Sequence, residues 1–87
     1  MRIDFDDDAD VLYLRFEAER IAYSRESDDE GELIINLNAA GAVVGVQLLG
    51  ALILGPEGWQ AHPERPRLPA PLREALDGWY RALPPKA

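Results

Sequence analysis

Four aspartates, Asp6, Asp7, Asp8 and Asp10, fall within five residues near the start of this chain. Carboxylates at that density could hold a cation or receive a basic surface. Asp6, Asp8 and Asp10 occupy positions 1, 3 and 5 of a stretch whose position 12 is Glu17, which is the spacing of oxygen ligands in a calcium loop of the EF-hand type. Position 6 of that stretch is Val11, where such a loop needs glycine for its sharp turn. The flanking residues also alternate as strands do, so the spacing is read as accidental and no metal ligand is assigned. A second acidic group, Asp28, Asp29 and Glu30, precedes Gly31. Asp and Gly accept the positive φ of tight turns, so both acidic groups read first as turns.

Other chemistry finds little support. His62 is the only histidine and lies in a proline-rich segment, where a solvated loop residue is expected. Ser24 and Ser27 have no identifiable base to activate them. The glycines at 41, 45, 50 and 55 are too widely spaced for a phosphate loop, and no P-loop lysine accompanies them. The chain has no cysteine, which removes disulfides, thiolate metal sites and thiol nucleophiles. No catalytic residue and no cofactor site is assigned, and the chain reads as a non-enzyme.

The 87 residues suit one small domain, and 47% of them are hydrophobic, an ordinary value for a folded chain. A chain of this size buries only ~60% of the surface its unfolded form exposes, so association into a homodimer is expected. The net charge of −7 comes from 9 Lys plus Arg against 16 Asp plus Glu. Nucleic acid calls for the opposite sign, because phosphate neutralisation supplies most of that affinity. An acidic surface favours cations or basic proteins, or simply keeps a small domain in solution. Met1-Arg2 leads into an acidic segment rather than an apolar leader, and the lack of cysteine fits a reducing compartment, so a cytoplasmic location is expected.

The elements that must position these residues follow from periodicity. Residues 2–5 and 11–16 read as two strands of a hairpin. Residues 21–26 read as an edge strand because their alternation is weak. Residues 32–37 and 42–49 read as two further strands, separated by the turn Asn38-Ala39-Ala40-Gly41. The run from Ala39 to Gly55 has Gln47 as its only polar side chain, but it holds four glycines and no flanking Lys or Arg. A turn, a buried strand and a short sticky stretch from Leu52 to Leu54 are expected there, rather than a membrane span. Exposed apolar residues in that stretch would suit a subunit interface. Five prolines between Pro56 and Pro71 predict an irregular, extended strap. The spacing Pro63, Pro66, Pro69 could also make a polyproline II ligand. Beyond Pro71, Leu72, Ala75, Leu76, Trp79, Tyr80 and Leu83 share a helical face, and Pro84-Pro85 ends the helix.

The predicted architecture is α+β: a small antiparallel β-meander of four to five strands with a C-terminal helix packed on it. Residues 1–54 form the sheet, 55–71 the strap and 72–83 the helix. In such a meander the first and third turns share one end of the sheet. Asp6, Asp7, Asp8, Asp10, Asp28, Asp29 and Glu30 would then gather there and could dock a basic partner, although Asp-rich turns are also simply good turns.

Several blocks resemble an uncharacterised prokaryotic family, domain of unknown function 2283. They are Arg2-Ile3-Asp4-Phe5-Asp6, Ala9-Asp10-Val11-Leu12-Tyr13, Ile21-Ala22-Tyr23-Ser24-Arg25-Glu26 and Gly41-Ala42-Val43-Val44-Gly45-Val46, with an acidic turn and an apolar strand between the last two. The resemblance covers residues 2–49 and leaves 55–87 as an elaboration. It implies a small β-rich fold with no established chemistry. It also implies antitoxin-like partner binding. The acidic residues themselves keep a cation- or small-ligand-binding domain as the alternative.

Overall fold

The computed structural model describes residues 1–27 and 32–83. Five strands come first: β1 (Arg2–Asp6), β2 (Val11–Arg15), β3 (Tyr23–Glu26), β4 (Leu33–Leu37) and β5 (Val43–Leu49). Two helices follow, α1 (Ala51–Gln60) and α2 (Ala70–Arg81), with a short 3-10 turn at Arg65–Arg67 between them. The class is α+β, as the periodicity predicts.

The strand order is β1-β2-β5-β4-β3, and every neighbouring pair is antiparallel. It differs from a meander in strict chain order, because β5 lies between β2 and β4. The reason is hydrophobic. β5 is the longest strand, with Val44, Val46 and Leu48 buried, and a central position gives it apolar partners on both sides. Leu48 stands opposite Leu12 and Leu33, and Val46 opposite Leu14 and Ile35. All six are fully buried or nearly so. β3, whose four residues are all exposed, takes an edge, as its weak alternation predicts.

The helices cover the face that carries these residues. Ala51, Trp59, Leu68, Leu72, Leu76 and Tyr80 complete the core. Neither helix covers the opposite face, with Tyr13, Arg15, Gln47, Asn36 and Ser24, an arrangement antiparallel sheets tolerate.

The segment expected to be an irregular strap, 55–71, takes in the end of α1, the 3-10 turn and the start of α2 at Ala70. α1 begins at Ala51, directly after β5, and takes up the Leu52–Leu54 stretch. It is interrupted at Gly55 (φ 71°, ψ 171°), because the residue before a proline is driven out of the α region. Pro56 then opens the second part, where its missing N–H costs nothing. The Pro63–Pro69 stretch contains the 3-10 turn rather than a polyproline II run. Pro84 and Pro85 lie outside the described residues.

α2 buries Leu72, Leu76 and Tyr80 at spacings of four. Trp79 is only half-buried and packs on Phe5, with ring centroids 5.1 Å apart. The Tyr80 hydroxyl donates to the Ala51 carbonyl at 2.7 Å. Burial, assisted by the charge of Asp10, pushes that hydroxyl's pKa well above its ordinary value.

Asp77 ties the helical layer together. Its Oδ1 accepts from Trp59 Nε1 at 2.7 Å, and Arg65 donates to both its oxygens, at 3.1 and 2.6 Å. The Arg65 guanidinium holds the Asp77 carboxyl below the usual carboxylate range, against the opposing effect of desolvation. A carboxyl depressed in the fold stabilises it above the unfolded-state pKa, and that contribution fades as pH falls through the folded value. Urea midpoints should therefore drop on acidification from neutrality to about pH 3. Asp77→Asn should lower the midpoint at pH 7 and shrink the drop. An unchanged drop would mean that other carboxylates set the acid limb.

Candidate functional site at the acidic end of the sheet

Two of the four aspartates of the β1–β2 turn have structural tasks. Asp6 shapes the turn, its Oδ1 accepting from the N–H groups of Asp8 at 3.1 Å and Ala9 at 3.3 Å. Asp10 adopts positive φ (54°), which a short polar side chain tolerates. Its carboxylate then caps α1 from 42 residues away, accepting from Leu52 N–H at 2.8 Å and Ile53 N–H at 3.3 Å. Its backbone carbonyl also accepts from Gly50 and Ala51. Asp10 thus satisfies amides that a helix start leaves open, and is a structural residue of this end.

Asp6, Asp7 and Asp8 remain exposed, with one carboxylate oxygen from each lying within 4.8 Å of the others. Among the described residues none of the three is in an ion pair. The 1-3-5-12 calcium pattern is not assembled. Asp10 points to α1, and Glu17 lies beyond the far end of β2, a strand that spans ~17 Å.

Asp28, Asp29 and Glu30 lie outside the described residues. The nearest described strand ends, Glu26 and Leu33, are at the same end of the sheet as Asp6 and Val11. The β1–β2 and β3–β4 pairs are about three strand spacings apart, ~14 Å, because β5 intervenes. That exceeds the screening length of ~8 Å at physiological salt.

Beside the aspartate turn stands the first turn of α1. Ile53 is 89% exposed and Leu52 44%. The sticky stretch expected at Leu52–Leu54 is thus divided. Leu54 packs against the core, and the other two face water. Val43, Val46, Leu48 and Ala51, and the Tyr80 face of α2, serve the chain's own core.

A second polar cluster contradicts the expectation of a solvated His62, which is buried. Its Nδ1 accepts from the Glu64 N–H at 3.1 Å. Glu64 is also buried and sits 3.7 Å from both Arg25 on β3 and Arg67. Ser27 Oγ, His62 Nε2 and Glu64 Oε2 are buried and find no hydrogen-bond partner among the described residues. Serine, histidine and glutamate are the residue types of a hydrolytic triad, but among the described residues no hydrogen bond joins Ser27 Oγ to His62. A shallow hollow of about 430 Å³ on the open face, beside Arg2, Tyr13 and Gln47, gathers no comparable set of reactive groups. No helix among the described residues is long and apolar enough to cross a membrane.

The family described as "Protein of unknown function (DUF2283)" matches residues 2–51 of the chain. The match ends where α1 begins, so most of the helical layer lies outside it. No curated protein and no solved structure matches the chain significantly.

Proposed function

The chain belongs to the DUF2283 family, and from that premise we propose that it is a non-catalytic protein-interaction module of antitoxin type, whose acidic sheet end receives a basic partner. The observation that carries the reading is the group of exposed carboxylates at Asp6, Asp7 and Asp8, unpaired among the described residues and fixed on a hairpin. Such a group raises encounter rates with a positive surface more than it adds affinity. The reading includes Asp28, Asp29 and Glu30 as further contacts.

Partner proteins retained from the native cell and identified by mass spectrometry supply the ligand for the test. Asp7→Asn with Asp8→Asn should slow association several-fold, with a steep salt dependence, and leave the fold intact. Glu17→Gln with Glu19→Gln removes the same charge at the opposite end and should do much less. Equal effects would leave net charge alone as the cause and remove the acidic end from the account.

The same convergence of oxygens favours a second reading, a weak divalent-cation site, which calorimetric titration with calcium separates from the first. Self-association as a homodimer is also part of the proposal. It would use the unpaired edges of the sheet, where Met1, Ile3 and Tyr23 are exposed. Light scattering at micromolar concentration should give twice the chain mass, and a monomer at every concentration would refute the dimer.

A further inference from the structure

We propose that Leu52 and Ile53, together with Asp7 and Asp8 of the turn that Asp10 joins to them, form one docking surface for a basic amphipathic helix of a partner protein. The inference rests on the acidic end being the binding end, and it adds an apolar centre and a partner class.

Single exposed apolar residues are common and need no explanation. These two differ in three respects. They are adjacent, and one is almost wholly in water. They are held in place, since the Asp10 carboxylate accepts from both of their N–H groups. And they cannot be buried by their own helix. The break at Gly55 leaves a first helical part of four residues, Ala51–Leu54, which packs on the sheet through Ala51 and Leu54 and turns Leu52 and Ile53 outward. The same Asp10 hydrogen bonds join this turn directly to the aspartate hairpin. An apolar centre beside a charged rim is the usual composition of an interface.

Charge complementarity decides the occupant. A second copy docked by this surface across a two-fold axis would bring acidic turn against acidic turn. An anionic lipid surface is repelled by the same carboxylates. A helix with large apolar side chains on one face and Lys or Arg along its margins satisfies both halves, in the helix-on-apolar-surface mode of recognition.

The test uses a fluorescent helical peptide of about 18 residues, long enough to form a stable helix, made of Leu, Ala and Lys with all leucines on one face. A peptide of the same composition with its leucines scattered serves as control. Anisotropy titrations are run with the full chain, with Ile53→Ser, with Asp7→Asn plus Asp8→Asn, and with Glu17→Gln plus Glu19→Gln. Ile53→Ser should weaken the amphipathic peptide by about fivefold or more and leave the control peptide unchanged, as expected for loss of an apolar anchor. The aspartate pair should instead flatten the salt dependence. If Ile53→Ser leaves the affinity unchanged while the aspartate pair weakens it, the composite surface is overturned and the acidic end survives. If the aspartate and glutamate pairs act equally, the acidic end itself falls. Absence of saturable binding to the amphipathic peptide overturns the docking surface directly. Because Ile53 is exposed, its variant should melt with the parent chain, and circular dichroism checks that.

Discussion

Trp59→Ala should destabilise the chain by about 3–5 kcal/mol, the largest effect of any single truncation expected here. A domain of this length holds only roughly 4–13 kcal/mol in total, so the variant loses a large share of its stability, and a chain at the low end of that range would be about half unfolded. Trp59 is fully buried between the sheet and α2 and is the largest buried side chain in the core. It also donates its indole N–H to Asp77, which Arg65 holds from the other side. The alanine variant therefore loses packing and leaves part of that polar contact without its donor. Trp59→Phe separates the two contributions. It keeps most of the ring and removes the donor, and should cost about 1 kcal/mol beyond its lost volume. Trp79→Ala should cost less than Trp59→Ala, about 1–2 kcal/mol, because the ring is only half-buried against Phe5. Urea denaturation followed by circular dichroism measures all three. A smaller cost for Trp59 than for Trp79 would mean that α1 is not part of the cooperative core.

That ranking could not be read from the sequence, and the reason is specific. The strands declare themselves by alternation over a few residues, and α2 by apolar residues at spacings of three and four. α1 has no such signature. Its residues Leu52, Ile53 and Leu54 are apolar on every side, and Gly55-Pro56 in its middle reads as a stop. Only the sheet face that Trp59 covers turns the segment into a helix with an inside. Strand order hides for a similar reason. The placement of β5 between β2 and β4 depends on Leu48 and Val46 meeting apolar residues on both sides, a contact across the sheet that local periodicity does not encode. At the acidic end, the aspartate turn is legible as a turn with free carboxylates. The separate role of Asp10 is not, because its partners, the N–H groups of Leu52 and Ile53, lie 42 and 43 residues away. His62 and Glu64 are polar residues among prolines, which suggests solvent. The contact of Glu64 with Arg25 brings that turn down onto the edge of the sheet instead.

Gly45→Ala should cost about 1–3 kcal/mol, as much as many core truncations, although it adds a single methyl group. Gly45 sits in the central strand opposite Arg15 on one side and Asn36 on the other. A Cβ there would lie 2.7 Å from the Leu14 carbonyl oxygen and 2.9 Å from Arg15 Cβ. The first of these is backbone in the β2–β5 ladder, so relief requires the two strands to separate rather than a side chain to turn. Separation would disturb the Leu14–Val46 pair next along the ladder, which is part of the core. Gly41, in the turn before β5, gives the contrasting case. It has φ +84° and nothing within 4 Å of a Cβ, so its requirement is conformational and not steric. Asparagine, which tolerates positive φ, should therefore be nearly as stable as glycine at 41, whereas at 45 it should be at least as damaging as alanine. Urea midpoints of Gly41→Asn, Gly45→Ala and Gly45→Asn decide between these causes. If Gly45→Ala matches the parent chain, then the approach of β2 to β5 is looser than 2.7 Å implies, and the closeness of the central strands does not depend on glycine at this position.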